Sequence, residues 1–265
     1  MKNFKIVAQK VLDALKGQDF ILESRAAQGF GLEGVPLSEM KVDVIITVGG
    51  DGTILRTLQG CDCPILGINA GVLGFLTEVQ SDDAVSAVKR LLAGKYKIDA
   101  RLKLKTVMNG KRLEDATNEA VLHTAHIAKM RHFQITIDGA KATEIRADGL
   151  IIATPTGSTS YAMSVGSSIV DPRVDALVIA PIAPFRLAAR PLVVPAKSMI
   201  GVTIREPKEC ILVIDGQAEF TTSGAEKYEF TSSEKKAKFI SFKDDFYSTL
   251  EEKLVASAPA IAQRP

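Results

Sequence analysis

Cysteine is scarce: Cys61, Cys63 and Cys210 are the only three in 265 residues, an odd number that speaks against a disulfide framework. Cys61-Asp62-Cys63 has neither zinc-knuckle nor redox-pair spacing, so the reading is free thiols in a reducing compartment. Excess charge is missing as well. The 33 basic and 31 acidic residues leave a formal +2, which gives no footprint for nucleic acid or an anionic membrane. No apolar run approaches the roughly 18 residues that span a bilayer. The N-terminus, MKNFKIVAQKVLDALKG, scatters lysines among its apolar residues and offers no signal-peptide core. There is no internal repeat and no low-complexity tract. A soluble, cytoplasmic chain is expected, without membrane or nucleic-acid partners.

What is present is ordinary globular material, 46% hydrophobic and 24% charged, long enough for one large domain or two small ones. The first part alternates helix and strand patterns. Val11 to Lys16 reads as helix, and Val44 to Val48 as a strand buried on both faces. Thr53 is expected to cap a helix carrying Ile54, Leu55 and Leu58 inward, and Pro64 to Ile68 to form a second buried strand. Ser81 to Ala93 is the clearest helix, with Asp82 and Asp83 at its positive end, Val85, Val88, Leu91 and Leu92 as its stripe and Gly94 ending it. This grammar predicts a parallel sheet with flanking helices.

Near residue 98 the grammar changes to short strands and turns. Asn109-Gly110, Asp138-Gly139 and Asp215-Gly216 read as hairpin turns, and Leu102 and Leu104, like Ile135 and Ile137, alternate with polar residues. Stacked antiparallel sheets are expected there, with one helix inside Ser158 to Val170 behind a turn at Pro155 to Gly157. After Asp244 the pattern is helical again, with Phe246, Leu250 and Leu254 on one side, and the tail is expected to fold back on the first domain. The predicted domains are therefore 1–98 completed by 243–265, and 99–242. The final ASAPAIAQRP reads as a frayed end.

Gly29, Gly31 and Gly34 match G-x-G-x-x-G, but they follow SRAAQ and precede Val35-Pro36 rather than joining a strand to a helix start. A surface loop is the reading there. Gly49-Gly50-Asp51-Gly52 does have that context, delivered by a buried strand to the carboxyl edge of a parallel sheet. Bare amides and a helix start near Thr53 favour bound phosphate. The lysine-bearing G-x-x-x-x-G-K-[ST] loop occurs nowhere in the chain. An aspartate in a phosphate site repels its ligand unless it binds magnesium or accepts a proton, and both roles belong to phosphoryl transfer. The bland alternative is a tight turn with a capping aspartate.

In RADGLIIATPTGSTSYAMSVG, Asp148 precedes the strand Leu150 to Ala153, and hydroxyl residues crowd Thr154 to Ser160. Such crowding also occurs in purely structural Ser/Thr turns. Tyr161 adds a flat face for a base or ring. His123 and His126, three apart in a strand, point to opposite faces and cannot chelate together; His132 completes a set read as free of metal. The lysine-rich run Glu234 to Lys238 reads as solvated.

Together these segments resemble the NAD kinase family, the enzymes that phosphorylate NAD to NADP. GGDGT at 49–53, GINAGVLGFLTE at 67–78, TNEAVLH at 117–123, RADGLIIATPTGSTSYAMSVGSSIVDP at 146–172 and IDGQ at 214–217 occur in the family's order. GGDGT alone is shared with diacylglycerol and sphingosine kinases and phosphofructokinases; the block at 146–172 separates them. The resemblance implies an α/β domain, a β-rich domain and an active site in the cleft between them, in a homodimer or homotetramer. It implies that Asp51 is the base on the adenosine 2′-hydroxyl, with Gly49, Gly50, Gly52 and Thr53 at the phosphates of ATP or polyphosphate. A divalent metal, Mg2+, would be carried by those phosphates. Arg56 falls where some members meet phosphate with arginine. Asn118 and Glu119 match the pair that contacts the dinucleotide, and Arg146 and Asp148 match pocket positions, the aspartate near the nicotinamide. Thr159, Ser160, Tyr161 and Ser164 match the segment wrapping the nucleoside, Ala183 and Gln217 two further contacts, and Lys129 a position that is histidine or lysine. The family's leading strand is poorly marked in FKIVAQKV. A lipid kinase with a larger apolar cleft and a dinucleotide sensor without turnover are the rival readings.

Overall fold

The computed structural model describes residues 2–71, 74–186, 188–242 and 246–254, which divide into two units. Positions 72–73 of the GINAGVLGFLTE segment, Asp244 and the tail 256–265 lie outside the described residues. The first unit takes the chain up to Asp99 and from Lys238 onward. It opens with α1 (Lys2–Ala14), whose Val7, Ala8 and Val11 are buried on one stripe. The residues FKIVAQKV thus form helix, because their apolar spacing is helical and not alternating. α2 (Ser24–Phe30) is capped by the Glu23 carboxylate at its start and by left-handed Gly31 at its end.

The expected loop at 29–34 is therefore the end of a helix followed by a close approach. A Cβ on Gly34 would lie 2.6 Å from the Ala27 Cβ. Glycines that terminate a helix cannot offer the amides of a helix start, which disposes of the dinucleotide pattern.

β1 (Ile45–Gly49) leads into α3 (Asp51–Gly60), and β2 (Ile65–Asn69) pairs parallel with β1 from Ile45↔Ile65 to Gly49↔Asn69. All five β2 residues are buried, whereas β1 buries only Ile45 and Thr47 and so is not buried on both faces. The cause is its place in the sheet order, at the edge beside β2. α4 (Ala84–Leu92) follows a 3-10 turn at Ser81–Asp83, so the α-helix starts later than the sequence suggests. Its buried stripe runs through Ala84, Ala87 and Val88 with Leu91 half-buried, leaving Leu92 exposed.

β3 (Lys97–Met108) enters the second unit, Ala100–Ala237. There follow β4 (Lys111–Arg112), β5 (Glu119–Thr124), β6 (Arg131–Ile137), β7 (Ala140–Ala147), β8 (Gly149–Ala153), the short α5 (Tyr161–Ser164), β9 (Ala176–Ile182), β10 (Leu192–Pro195), β11 (Ile200–Ile204), β12 (Cys210–Ile214), β13 (Ala218–Thr222) and β14 (Tyr228–Ser241). One sheet runs β10-β9-β8-β5-β12-β13, antiparallel throughout. The other joins β6, β7, β11, β14, β3 and β4. Leu122, Leu150, Leu177 and Leu212 of the first meet Leu104, Phe133, Ile135, Ile200 and Phe230 of the second in one core. The far face of the six-stranded sheet buries Ile151, Val178 and Ala180 with Ala162 of α5. Ser158 to Val170 holds only a 3-10 turn, Thr156–Thr159, and the single turn of α5, because its hydroxyls bond locally to the backbone.

All three hairpin turns form with both central residues left-handed: Asn109 and Gly110 at φ 49° and 78°, Asp138 and Gly139 at 51° and 81°, Asp215 and Gly216 at 51° and 64°. Glu234, Lys235, Lys236 and Lys238 are exposed along β14, as read. The end of that strand adds parallel to β2 in the first unit at Phe239↔Ile65. α6 (Phe246–Leu254) follows, its Lys253 ammonium 5.1 Å above the Phe75 ring, while Leu254 is exposed. Among the described residues no helix is long and apolar enough to cross a membrane.

Candidate active site

In the first unit the strand-to-helix junction is shorter than the sequence suggests. Gly50, extended at φ −105° and ψ −172°, is the N-cap of α3, so Asp51 and not a residue after Thr53 begins the helix. Thr53 lies inside the first turn, with its hydroxyl against Gly49: a Cβ there would come 2.4 Å from Thr53 Oγ1. Gly49 is thus required by the fold. Gly50 and Gly52 are not, since a Cβ on either would meet nothing within 4 Å.

Asp51 is held by the segment after β2. The Phe75 amide donates to Oδ2 at 2.7 Å and the Leu76 amide to Oδ1 at 3.0 Å. A Cβ on Gly74 would fall 2.0 Å from Oδ1, so this glycine lets the backbone reach the carboxylate. The backbone from Gly74 to Leu76 thereby orients Asp51. Each oxygen keeps a second lone pair for a ligand. Arg56 sits 3.6 Å from Glu23 Oε1, a half-exposed pair whose other oxygen caps α2.

In the second unit, two loops converge on the start of β5. Asp215, only 4% exposed in the β12–β13 turn, accepts the amides of Thr117 at 2.7 Å on Oδ2 and of Asn118 and Glu119 at 2.7 and 3.1 Å on Oδ1. Thr154 donates its hydroxyl to Thr117 O at 2.6 Å and its amide to Asn118 O at 2.8 Å. Gly157 fits against the same peptide, where a Cβ would lie 2.1 Å from Asn118 O. The hydroxyl-rich turn is thus mainly structural: Ser158 donates to Pro155 O and accepts from Val170 N, and Thr159 donates to Thr156 O. Ser160 differs, donating to Glu119 Oε1 at 3.2 Å, and Tyr161 beside it is 40% exposed. Ser160 and the Tyr161 amide thus meet Glu119 beside Asn118, with Thr159 on the same loop and Gln217 exposed on the Asp215 turn.

Arg146, Asp148 and Ala183 meet at the β7–β8 junction. The Asp148 amide donates to Ile182 O, and the exposed Arg146 guanidinium lies 5.1 Å from the Phe185 ring. Ala183 takes φ 45° just past β9. Lys129 and Ser164 are exposed, and no hydrogen bond among the described residues joins their side chains to either group. His123 Nδ1 lies 2.8 Å from Thr124 O, and His132 Nε2 lies 3.5 Å from Glu144 Oε2.

Burial, with the Asp215 charge adding to it, pushes the Glu119 carboxyl up to about 8 against the pull of Ser160 and the Tyr161 amide. Burial also raises Asp215, opposed by its three amide donors and by Lys103. Asp215 is the better supported anion of the pair, so the proton resides on Glu119 at neutral pH. The unfolded chain gives up that proton near 4.5, so between 4.5 and 8 the folded state binds more protons and stability falls as pH rises. Glu119→Gln is therefore expected to raise Tm by roughly 5 °C at pH 9 and hardly at pH 4.5, read by calorimetry. An equal shift at both values would refute the proton assignment.

Gly74, Thr154, Gly157 and Asp215 lie within the segments singled out from the sequence, but their anchoring duty is not among the roles assigned there. Asp215 looked like a turn residue, and only its place in IDGQ hinted at more. Two family models match the chain, the ATP-NAD kinase N-terminal domain over residues 26–96 and the ATP-NAD kinase C-terminal domain over residues 117–242. The NAD kinase of Thermoplasma acidophilum is 42% identical over 94% of this chain and 92% of its own. That of Methanothermobacter thermautotrophicus is 48% identical over 84% and 80%. An NAD kinase from Archaeoglobus fulgidus, solved with ATP, superposes with TM-score 0.75 at 29% identity, covering 93% of each chain. Yeast NADH kinase complexed with NADH reaches 0.86 over 99% of this chain and 86% of its own; at 22% identity it speaks for the fold alone. Both units thus answer to one family, which sets the lipid-kinase reading aside: the chain belongs to the NAD kinases, phosphotransferases that convert NAD to NADP.

Proposed function

We propose that Asp51 orients the 2′-hydroxyl of the adenosine ribose of NAD and receives its proton as the terminal phosphoryl of ATP transfers. The observation that carries this reading is the open space at Gly50 and Gly52 on either side of a carboxylate fixed by two amides. Neither packing nor a left-handed backbone asks for glycine at those two positions, so close approach of phosphate to the α3 start accounts for them. Transfer through a loose transition state needs alignment more than a strong base, and a carboxylate with a fixed rotamer supplies it.

The donor is read as the Mg2+ complex of ATP, its ion carried by the phosphates. Among the described residues no three His, Cys, Asp or Glu side chains cluster to hold a metal, and no protein ligand is assigned. Thr53 joins the phosphate-binding turn, and Arg56 leaves its weak pair with Glu23 to meet phosphate. Asn118 and Glu119 hold the adenosine, supported by Thr159, Ser160 and Ser164, with Tyr161 stacking on it. Among the described residues, buried Asn118 Oδ1, Glu119 Oε2 and Asp148 Oδ1 have no protein partner, which suits residues reserved for a polar ligand. Arg146, Asp148 and Ala183 take the nicotinamide half, with Lys129 and Gln217 at the margin. The division of labour follows the domains 1–98 with 243–265 for the donor and 99–242 for NAD, in a cytoplasmic homodimer or homotetramer.

Incubation with NAD, Mg2+ and either ATP or inorganic polyphosphate tests the reading through coupled detection of NADP. NADP is expected with ATP. NAD binding without NADP formation from either donor would favour a sensor and overturn it.

A further inference from the structure

All three left-handed hairpin turns use their first residue twice, once for the turn and once as a clamp. Asn109 Oδ1 accepts the Lys227 amide at 2.9 Å. Asp138 accepts the Met199 amide at 2.8 Å and the Ser198 hydroxyl at 3.1 Å. Asp215 differs in three respects. It is buried, it takes three backbone amides, and those amides belong to consecutive residues that include Asn118 and Glu119. The turn does not ask for a carboxylate, because asparagine fits a left-handed first position at least as well. Desolvating an anion is costly, so the charge must serve the segment it grips.

Resting on the dinucleotide reading of Asn118 and Glu119, we infer that Asp215 is a positioning residue for the phosphoryl transfer: its buried carboxylate fixes the backbone from which that pair reaches NAD. Three amides converging on two oxygens are matched by an acceptor-only group and not by an amide, whose NH2 would face an N–H. Thr154 grips the same peptides through their carbonyls, so Thr117 and Asn118 are held on both edges. The return bond, from the Asp215 amide to Glu119 O at 3.0 Å, closes the ring.

The anion has a second effect. Glu119 faces Asp215 from the turn and Ser160 and the Tyr161 amide from the loop behind β8, while Lys103 of β3 acts on Asp215. With the negative charge on Asp215, Glu119 keeps its proton and offers a donor to the ligand. NAD binding should then weaken as pH rises through about 8, where that proton leaves.

The test is Asp215→Asn, which keeps the turn, assayed for NADP formation under saturating Mg-ATP across pH 6 to 9.5. Expected are a fall in kcat/KM for NAD of about 10²-fold, a KM for ATP within a few-fold, and an acid-ward shift in the midpoint of the NAD KM profile. Glu119→Gln and the double variant should show no such midpoint. A merely structural Asp215 would lower activity evenly at every pH and leave the midpoint in place, which would overturn the inference. If Asp215→Asn does not fold, Asp215→Glu decides: it keeps the charge one methylene further out, so kcat/KM should fall with the midpoint retained, and undiminished kcat/KM overturns the inference. If Glu119→Gln itself leaves NAD binding and its pH profile unmoved, the dinucleotide reading of the pair has failed, and the inference with it.

Discussion

Asp51→Asn is expected to lower turnover by roughly 10²- to 10⁴-fold while NAD affinity stays within a few-fold. The amide is nearly isosteric, so it neither fills the space beside Gly50 and Gly52 nor touches the residues read as holding the nucleoside. It removes the group that orders and deprotonates the ribose hydroxyl. The variant carries one structural consequence that must be measured beside it. Both oxygens of the native carboxylate accept amides, at 2.7 Å from Phe75 and 3.0 Å from Leu76. An asparagine keeps one of these bonds and turns its NH2 toward the other donor, a mismatch worth about 1–3 kcal/mol when buried. The site is only half-buried, so a Tm lower by a few degrees is expected. Turnover and melting therefore separate the chemical role from the anchoring role: a modest loss of Tm cannot account for a thousandfold loss of kcat measured well below the transition. Full activity in Asp51→Asn would remove Asp51 from the chemistry, whatever its effect on Tm.

How far the fold was legible follows from which forces are local. The Asn-Gly and Asp-Gly turns were readable because two successive left-handed residues are a backbone demand that few residue types meet. β2 was readable because an unbroken apolar run has one outcome in a parallel sheet. Helix boundaries were less so. α3 begins at Asp51, straight after an extended Gly50 and with no side-chain cap, while the threonine that reads as a cap instead fills the space over Gly49. The glycines at 29–34 misled because G-x-G spacing does not reveal whether a helix starts or stops there. In the site, residue types were legible and their duties were not. The hydroxyls at 154–160 looked like ligand groups, yet Ser158 and Thr159 satisfy local carbonyls and only Ser160 turns toward Glu119. Glu119 carries a proton at neutral pH because of burial and Asp215, two facts of tertiary packing that no spacing along the chain announces.

Gly52→Ala should leave the protein at least as stable and yet cripple it. Gly52 lies in the first turn of α3 with nothing within 4 Å of an added Cβ, and its backbone is not left-handed. Alanine is favoured over glycine in a helix by about 1 kcal/mol, so Tm should hold or rise by roughly 2–4 °C. If phosphate comes up against this backbone, the same methyl occupies its path and displaces the donor by about an ångström, enough to cost on the order of 10² in kcat/KM for ATP. Gly49→Ala supplies the contrast, because its Cβ meets Thr53 Oγ1 at 2.4 Å and must disturb the turn itself. That variant should lose stability and activity together, whereas Gly52→Ala should lose activity alone. Calorimetry and steady-state kinetics on the two proteins divide the glycines of this turn into one that the fold requires and one that the ligand requires. Should Gly52→Ala gain stability and keep its kcat/KM for ATP, the open space beside Asp51 is not where phosphate binds.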